Sequence, residues 1–361
     1  MLHMLNLKHY MNRQIGFFII ILIFFNYSFA QESLDNETLQ TVLSVFSEDE
    51  PLPIKLSFEI KDIKKNTNDS TYINSSLSYR SLNGTEQNIK IMIRRRGNYR
   101  LKNCYFPPIT VKLKKQDREN TPFEGHKKLK LVMPCLLQKD KNDNVIKEYL
   151  AYKLFEVMTP YHFKTRLVDI TYEEAKGQKI KTHLVKGILI EDDKSVAKRF
   201  DGKVYKRYSH PLNHEPVASV KNTIFQYMIG NTDFSQAYQH NMKLIFVNNK
   251  MIPLPYDFDM SGLVNCSYAV VSQIQGEDLG MTSVTQRKYR GFVRDANVFH
   301  QVRQEILNEK EEMLSILYNH EKYFEDPKEF KVAKEYILSF LAILSDDKRF
   351  KKEIIDAARN E

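Results

Sequence analysis

Tryptophan is absent from the 361 residues, and cysteine occurs only three times. Cys104, Cys135 and Cys266 are too few and too widely spaced for a disulfide-built scaffold or a cysteine-rich zinc site. An oxidising compartment still permits one bridge, Cys104 with Cys135. No histidine stands at metal-ligand spacing from any of the three. Internal repeats and low-complexity blocks are missing, which excludes solenoids and disordered linkers as the main architecture. A G-x-G-x-x-G phosphate loop is also missing, so any phosphate cover must come from another segment. Acidic residues are absent from the first thirty positions.

That acid-free start has the build of an export signal. Lys8 and Arg13 precede the apolar run IGFFIIILIFF, and YSFA before Gln31 supplies small residues for cleavage after Ala30. If retained, the apolar run approaches the length that anchors a chain in a bilayer. Removal of residues 1–30 takes away Lys8 and Arg13 and lowers the formal net charge from +9 to +7. A basic exported chain suits an acidic or phosphate-bearing partner. Basic clusters such as IRRRGNYRLK, with Tyr99 and Tyr105 beside them, would also suit single-stranded nucleic acid, but export argues against that partner.

The rest of the chain reads as α+β. Residues 31–50 are polar and acidic, as a mobile leader would be. From residue 51 to 190, alternating runs such as LPIKLSFEI, SLSYRSLNGTEQNIKIMIRR, PPITVKLKK and HKKLKLV predict a mostly antiparallel sheet, with a hairpin turn at Asn83-Gly84. One helix, VIKEYLAYKLFEVM, interrupts it before Pro160. From 191 to 361 helices predominate: VASVKNTIFQYMI, then 294–320 and 327–358. A short hairpin around Asn248-Asn249 lies between them.

The chemistry concentrates in that hairpin region. Asp233 sits in a loop after a helix, Asn241 opens a strand, and PYDFD follows the hairpin with Asp257 and Asp259. In phosphoryl transfer one carboxylate orients the attacking hydroxyl, while an Asn and a further Asp hold magnesium against the phosphates. Oxygen donors of this kind favour magnesium or manganese over zinc. Taken singly, each of these residues is a common turn former or helix cap; their order along the chain is what points to a site. His240, beside the Asn, reads as a supporting or surface residue. In RRRGNYR, Arg96 and Gly97 could cover phosphates, since a glycine backbone can approach them closely. Lys112 on a strand could reach phosphate if Glu148 held it, with Lys130 as the competing lysine. Glu191, at the end of GILIE, marks the junction between the β-rich and helix-rich parts.

Together these segments resemble the CotH (spore-coat protein H) kinase-like family, in its exported Bacteroidetes form. The resemblance covers roughly residues 91–264 and rests on RGN, VKLKK, KEYLAYKLFEVM, VKGILIEDD, IGNTD, HNMKL and PYDFD. It implies a two-lobed fold similar to atypical protein kinases, with a β-rich N-lobe and a helical C-lobe. It also implies transfer of the ATP γ-phosphoryl group to a protein or other hydroxyl acceptor outside the cytoplasm. By position, Asp233 would be catalytic, Asn241, Asp257 and Asp259 would bind metal, and Lys112, Glu148, Glu191, Arg96 and Gly97 would surround the nucleotide. The sequence departs from ordinary kinases in lacking HRD and DFG triplets and in its eight-residue Asp233-to-Asn241 gap. These departures leave a catalytically inactive surface or binding protein as the alternative.

Overall fold

The structure is a computed structural model that describes residues 43–81, 84–97, 99–138, 141–272 and 278–360. The export segment, and Asn83 of the expected Asn83-Gly84 turn, lie outside the described residues. Contacts divide the chain into residues 1–43 and one compact unit, Ser44–Glu361, which carries every element considered below.

The elements follow in chain order. They are β1 (Leu52–Ser57), α1 (Ile60–Asn66), β2 (Ile73–Arg80), β3 (Glu86–Arg95), α2 (Tyr99–Asn103), β4 (Ile109–Lys112) and α3 (Lys115–Arg118). Next come β5 (Lys128–Val132), α4 (Lys141–Met158), β6 (Thr165–Lys176), β7 (Lys179–Glu191), α5 (Asp193–Arg199) and β8 (Lys203–Tyr205). The remainder is α6 (Pro216–Ile229), β9 (Met242–Val247), β10 (Lys250–Pro255), α7 (Ala296–Asn308), α8 (Lys310–Asn319), α9 (Pro327–Ser345) and α10 (Asp347–Phe350).

The first seven strands close into a barrel in the order β1-β2-β3-β4-β5-β7-β6. Closure comes from β1, which pairs antiparallel with β2 and parallel with β6, in register from Leu52 opposite Val168 to Ser57 opposite Glu173. This overturns the expected two-lobed kinase-like fold with a helical C-lobe: the core element is a closed mixed barrel, with a three-stranded β10-β9-β8 sheet and helices packed beside it. The reason is physical. Alternation of apolar and polar residues marks a strand but does not name its partner. The β1–β6 pairing depends on how side chains fill the closed interior.

Two cores hold the unit together. Leu56, Ile91, Ile93, Leu131, Ile170 and Leu189 point into the barrel with Phe106 and Tyr172. The opposite faces of β5, β6 and β7 are buried as well: Val132, Leu167, Ile188 and Ile190 join α4, α6 and α9 in the second core. Strands buried on both sides read as continuous apolar runs, which explains GILIE. Gly187 fits there because a Cβ would collide with Ile170 and the Val132 carbonyl. Helix α4 is buried nearly all round, including Lys147 and Glu148, so it presents no clean amphipathic stripe. Within the expected leader, Val45 is buried, and its N–H donates to the Pro122 carbonyl at 2.7 Å. Arg166 donates to the Glu50 carbonyl at 2.7 Å, so residues 44–50 are fixed against the barrel. Among the described residues no helix is long and apolar enough to cross a membrane.

Candidate functional site

The ordered acids expected from the sequence meet where α6, the β9-β10 hairpin and α4 converge. Helix α6 ends at Gly230, whose φ of 64° lets it cap the helix. A Cβ there would strike the Tyr336 hydroxyl. The chain then turns through Asn231, whose side-chain oxygen accepts the Asp233 N–H at 3.0 Å. Asn241 donates through Nδ2 to both the carbonyl and Oδ2 of Asp233, each at 2.8 Å. Those bonds leave its Oδ1 as the atom suited to a cation. His240 Nε2 lies 3.2 Å from Asp233 Oδ1, and this hydrogen bond raises the imidazole pKa against the opposing effect of burial.

The hairpin carries the second half. Asn248 and Asn249 both take positive φ, 48° and 61°, at its turn. The Tyr256 N–H donates to the Asn241 carbonyl at 3.1 Å, which sets the PYDFD segment beside the Asp233 loop. Asp257 adopts φ 66°, uncommon for a residue with a side chain. Its N–H donates to the Tyr152 hydroxyl of α4 at 2.9 Å. Phe258 is fully buried between Tyr152 and Phe225, with ring centroids 4.6 and 5.2 Å away. It is a packing residue that fixes the turn.

Behind the turn lies a buried charge cluster. Arg100, on α2, places its guanidinium 3.6 Å from Asp257 and 3.6 Å from Asp259, and it donates to the Met133 carbonyl at 3.0 Å. Burial alone would depress this guanidinium, but Asp259, Tyr268, Glu148 and Asp257 push its pKa up. Burial drives the Glu148 carboxyl up to about 8 against the pull of Arg100. For Asp259 the same balance ends at about 6. The Cys104–Cys135 disulfide forms, closing a sequence separation of 31 residues. The Cys104 N–H donates to the Arg100 carbonyl at 2.9 Å, so the bridge ties the Arg100 helix down.

In front of the turn lies a basic cluster. Arg96, Lys130 and Lys243 sit 6.0, 4.9 and 5.4 Å from the centroid of the Tyr256 ring. Lys130 is buried on the outer face of β5, 4.3 Å from the Phe163 ring, and its Nζ has no hydrogen-bond partner among the described residues. Burial, reinforced by Arg96, pushes its pKa down to about 7, with Asp193 and Asp192 opposing. A buried ammonium among other cations is costly unless an anion joins it.

The expected residues therefore separate. Asp233, Asn241 and Asp257 come together, and Arg96 joins them at Tyr256. Gly97 has φ 74° and open space around its Cα. Lys112 instead sets its ammonium 5.1 Å from the Tyr72 ring centroid. Glu148 faces Arg100, Asp257 and Asp259 rather than a strand lysine. Glu191 accepts from Arg199 at 3.0 Å and from the Lys164 N–H at 3.1 Å, which pins the β7–α5 corner. Asp259 is 8% exposed, accepts from the Tyr268 hydroxyl at 3.0 Å and backs onto Arg100, whereas Asp257 is 32% exposed. Asp257, not Asp259, is thus the carboxylate open to a cation.

Among the described residues, no group of three or more His, Cys, Asp or Glu side chains is arranged to hold a metal ion unaided. Magnesium commonly takes one or two carboxylates and completes its shell with substrate phosphates and water. Asp257 with Asn241 fits that pattern. Arg100, Lys243, Tyr152 and Tyr256 escaped the sequence reading. Lys130 carried one signal: Val132, two residues on, shares its strand face and is apolar, so that face had to be buried. No protein-family model matches the chain, and no curated protein matches it.

Proposed function

We propose that this site binds a nucleoside triphosphate with a divalent cation and transfers the terminal phosphoryl group to a hydroxyl acceptor outside the cytoplasm. The observation that carries the reading is the buried Lys130 ammonium, without a hydrogen-bond partner among the described residues and grouped with Arg96 and Lys243 at Tyr256, one residue before Asp257. Three converging cations in a partly dehydrated setting suit phosphate oxygens. The resemblance of PYDFD and IGNTD to CotH-like kinases supports the same chemistry, carried here on a barrel.

Each side chain has a task. Lys130, Arg96 and Lys243 hold the phosphate chain and neutralise it. Asp257 and Asn241 Oδ1 would hold a divalent cation, which would supply positive charge against the phosphates. Asp233 accepts a hydrogen bond from the acceptor hydroxyl and takes its proton as the new O–P bond forms. The bond from phosphorus to the nucleoside diphosphate breaks as that bond is made. Asn241 and His240 hold the Asp233 carboxylate in place for this step. Arg100 prevents Asp257 and Asp259 from repelling each other.

One observation favours binding without transfer. Arg100 already supplies a cation 3.6 Å from Asp257, so a nucleotide could dock without the metal geometry that transfer needs. Thermal-shift titration with ATP and magnesium, alongside labelled phosphate incorporation, separates the two. Stabilisation plus incorporation, both lost in Asp257→Asn, supports transfer. Asparagine tolerates the positive φ at this position, so the fold should survive. Stabilisation without incorporation supports a binding protein, and the absence of any nucleotide effect refutes both.

A further inference from the structure

The chain that leaves PYDFD comes back to Asp233 with a hydroxyl. Asn265 takes φ 47°, and its N–H donates to the Ser261 carbonyl at 2.9 Å, so the backbone turns there. The residues that follow bond to Asp259. The Cys266 thiol donates to the Asp259 carbonyl at 3.2 Å, and the Tyr268 hydroxyl donates to Asp259 Oδ2 at 3.0 Å. Val270 then stands exposed, whereas Ser272 is buried. The Ser272 Oγ donates to Asp233 Oδ1 at 3.3 Å. Two further groups fix the same carboxylate: Asn241 Nδ2 reaches Oδ2 at 2.8 Å, and His240 Nε2 lies 3.2 Å from Oδ1. Asp233 therefore holds a serine hydroxyl where the transfer proposed above needs its acceptor.

We propose that Ser272 is an intramolecular phosphoryl acceptor, so that the protein phosphorylates its own chain in cis at this hydroxyl. The inference rests on the phosphoryl-transfer reading above. A base and a nucleophile in hydrogen-bond contact are the starting geometry for such a step, and the contact is often loose before substrate binds. Asp233 takes the Ser272 proton as Oγ forms its bond to the γ-phosphorus of ATP. The bond from that phosphorus to its bridging oxygen breaks, and the electron pair leaves with the nucleoside diphosphate. Attachment to the same chain gives this hydroxyl an effective concentration far above that of a diffusing acceptor. A structural role alone does not require the serine, because Asn241 and His240 already meet both Asp233 oxygens.

Mass spectrometry of the full chain after incubation with ATP and magnesium tests this, first on the intact protein and then on its fragments. The expected result is a single added phosphate per chain, located on Ser272. Its first-order rate constant should stay unchanged over a roughly tenfold dilution of the protein, as transfer within one chain requires. Ser272→Thr should keep the modification and Ser272→Ala should lose it, while the ATP–magnesium thermal shift of Ser272→Ala shows that this variant folds. A short serine peptide supplied as a separate acceptor divides the outcomes. Phosphate on the peptide but not on Ser272, or Ser272→Ala modified as fast as wild type, overturns the proposal and leaves phosphoryl transfer standing. So does a rate constant that rises in proportion to protein concentration, which marks transfer between chains. No phosphate on either chain or peptide refutes phosphoryl transfer and the self-modification together.

Discussion

Replacing Lys130 with methionine should stabilise the free protein while removing its nucleotide response. The ammonium lies between Phe163 and Tyr256 with no hydrogen-bond partner among the described residues, and methionine has a similar length and suits an apolar slot. A fall from the ordinary 10.5 to about 7 means that the folded state binds this proton far less tightly than the unfolded chain. At or below pH 7 that difference corresponds to about 4 kcal/mol of lost stability. The sign follows from linkage. For a depressed lysine, stability is fully present above the unfolded value and is lost as pH falls through the folded one. Wild type should therefore gain stability between pH 7 and pH 10.5, whereas Lys130→Met should not. Urea unfolding at pH 7 should show the variant ahead by up to about 4 kcal/mol, and at pH 9 by about 2. Phosphate binding should recharge Lys130, so nucleotide binding near pH 8 should take up a proton in wild type alone. Calorimetry in buffers of different ionisation enthalpy reads that uptake. A variant less stable than wild type at pH 7, or a gap independent of pH, would refute the reasoning.

Arg100→Gln should destabilise the fold by about 3–5 kcal/mol, because Asp257, Asp259 and Glu148 would lose their shared cation; denaturant unfolding at pH 7 measures it, and a loss below 1 kcal/mol (roughly one surface pair's worth) would count against the cluster. Removing the bridge in Cys104→Ala/Cys135→Ala should cost about 2–5 kcal/mol for a loop of this size, with the midpoint of wild type falling equally under reductant. The His240 imidazole should titrate above its ordinary 6.5 by proton NMR and return toward it in Asp233→Asn, since the Asp233 hydrogen bond is the leading cause of the shift. The stability that this pair adds is present below pH 6.5 and disappears as pH rises through the higher folded value.

Local chemistry made several elements legible. The alternation of Leu52, Ile54 and Leu56 and of Ile89, Ile91 and Ile93 named strands. Pro216 and Gly230 bracket α6 at the places where those residues start and stop helices. The order Asp233, Asn241, Asp257 was readable because a short hairpin returns its ends to one place, whatever the surrounding fold. The pairing of β1 with β6 was not readable, because it joins segments more than a hundred residues apart through a shared interior. That pairing turned an expected two-lobed arrangement into a barrel. The same long-range packing chose among the cations. Lys112 and Lys130 look alike in sequence, but Lys112 is part-exposed over Tyr72 while Lys130 is buried beside Tyr256. Sequence could supply the charges and their order; only tertiary burial decided which of them lost water, and desolvation is what makes a charge seek a ligand.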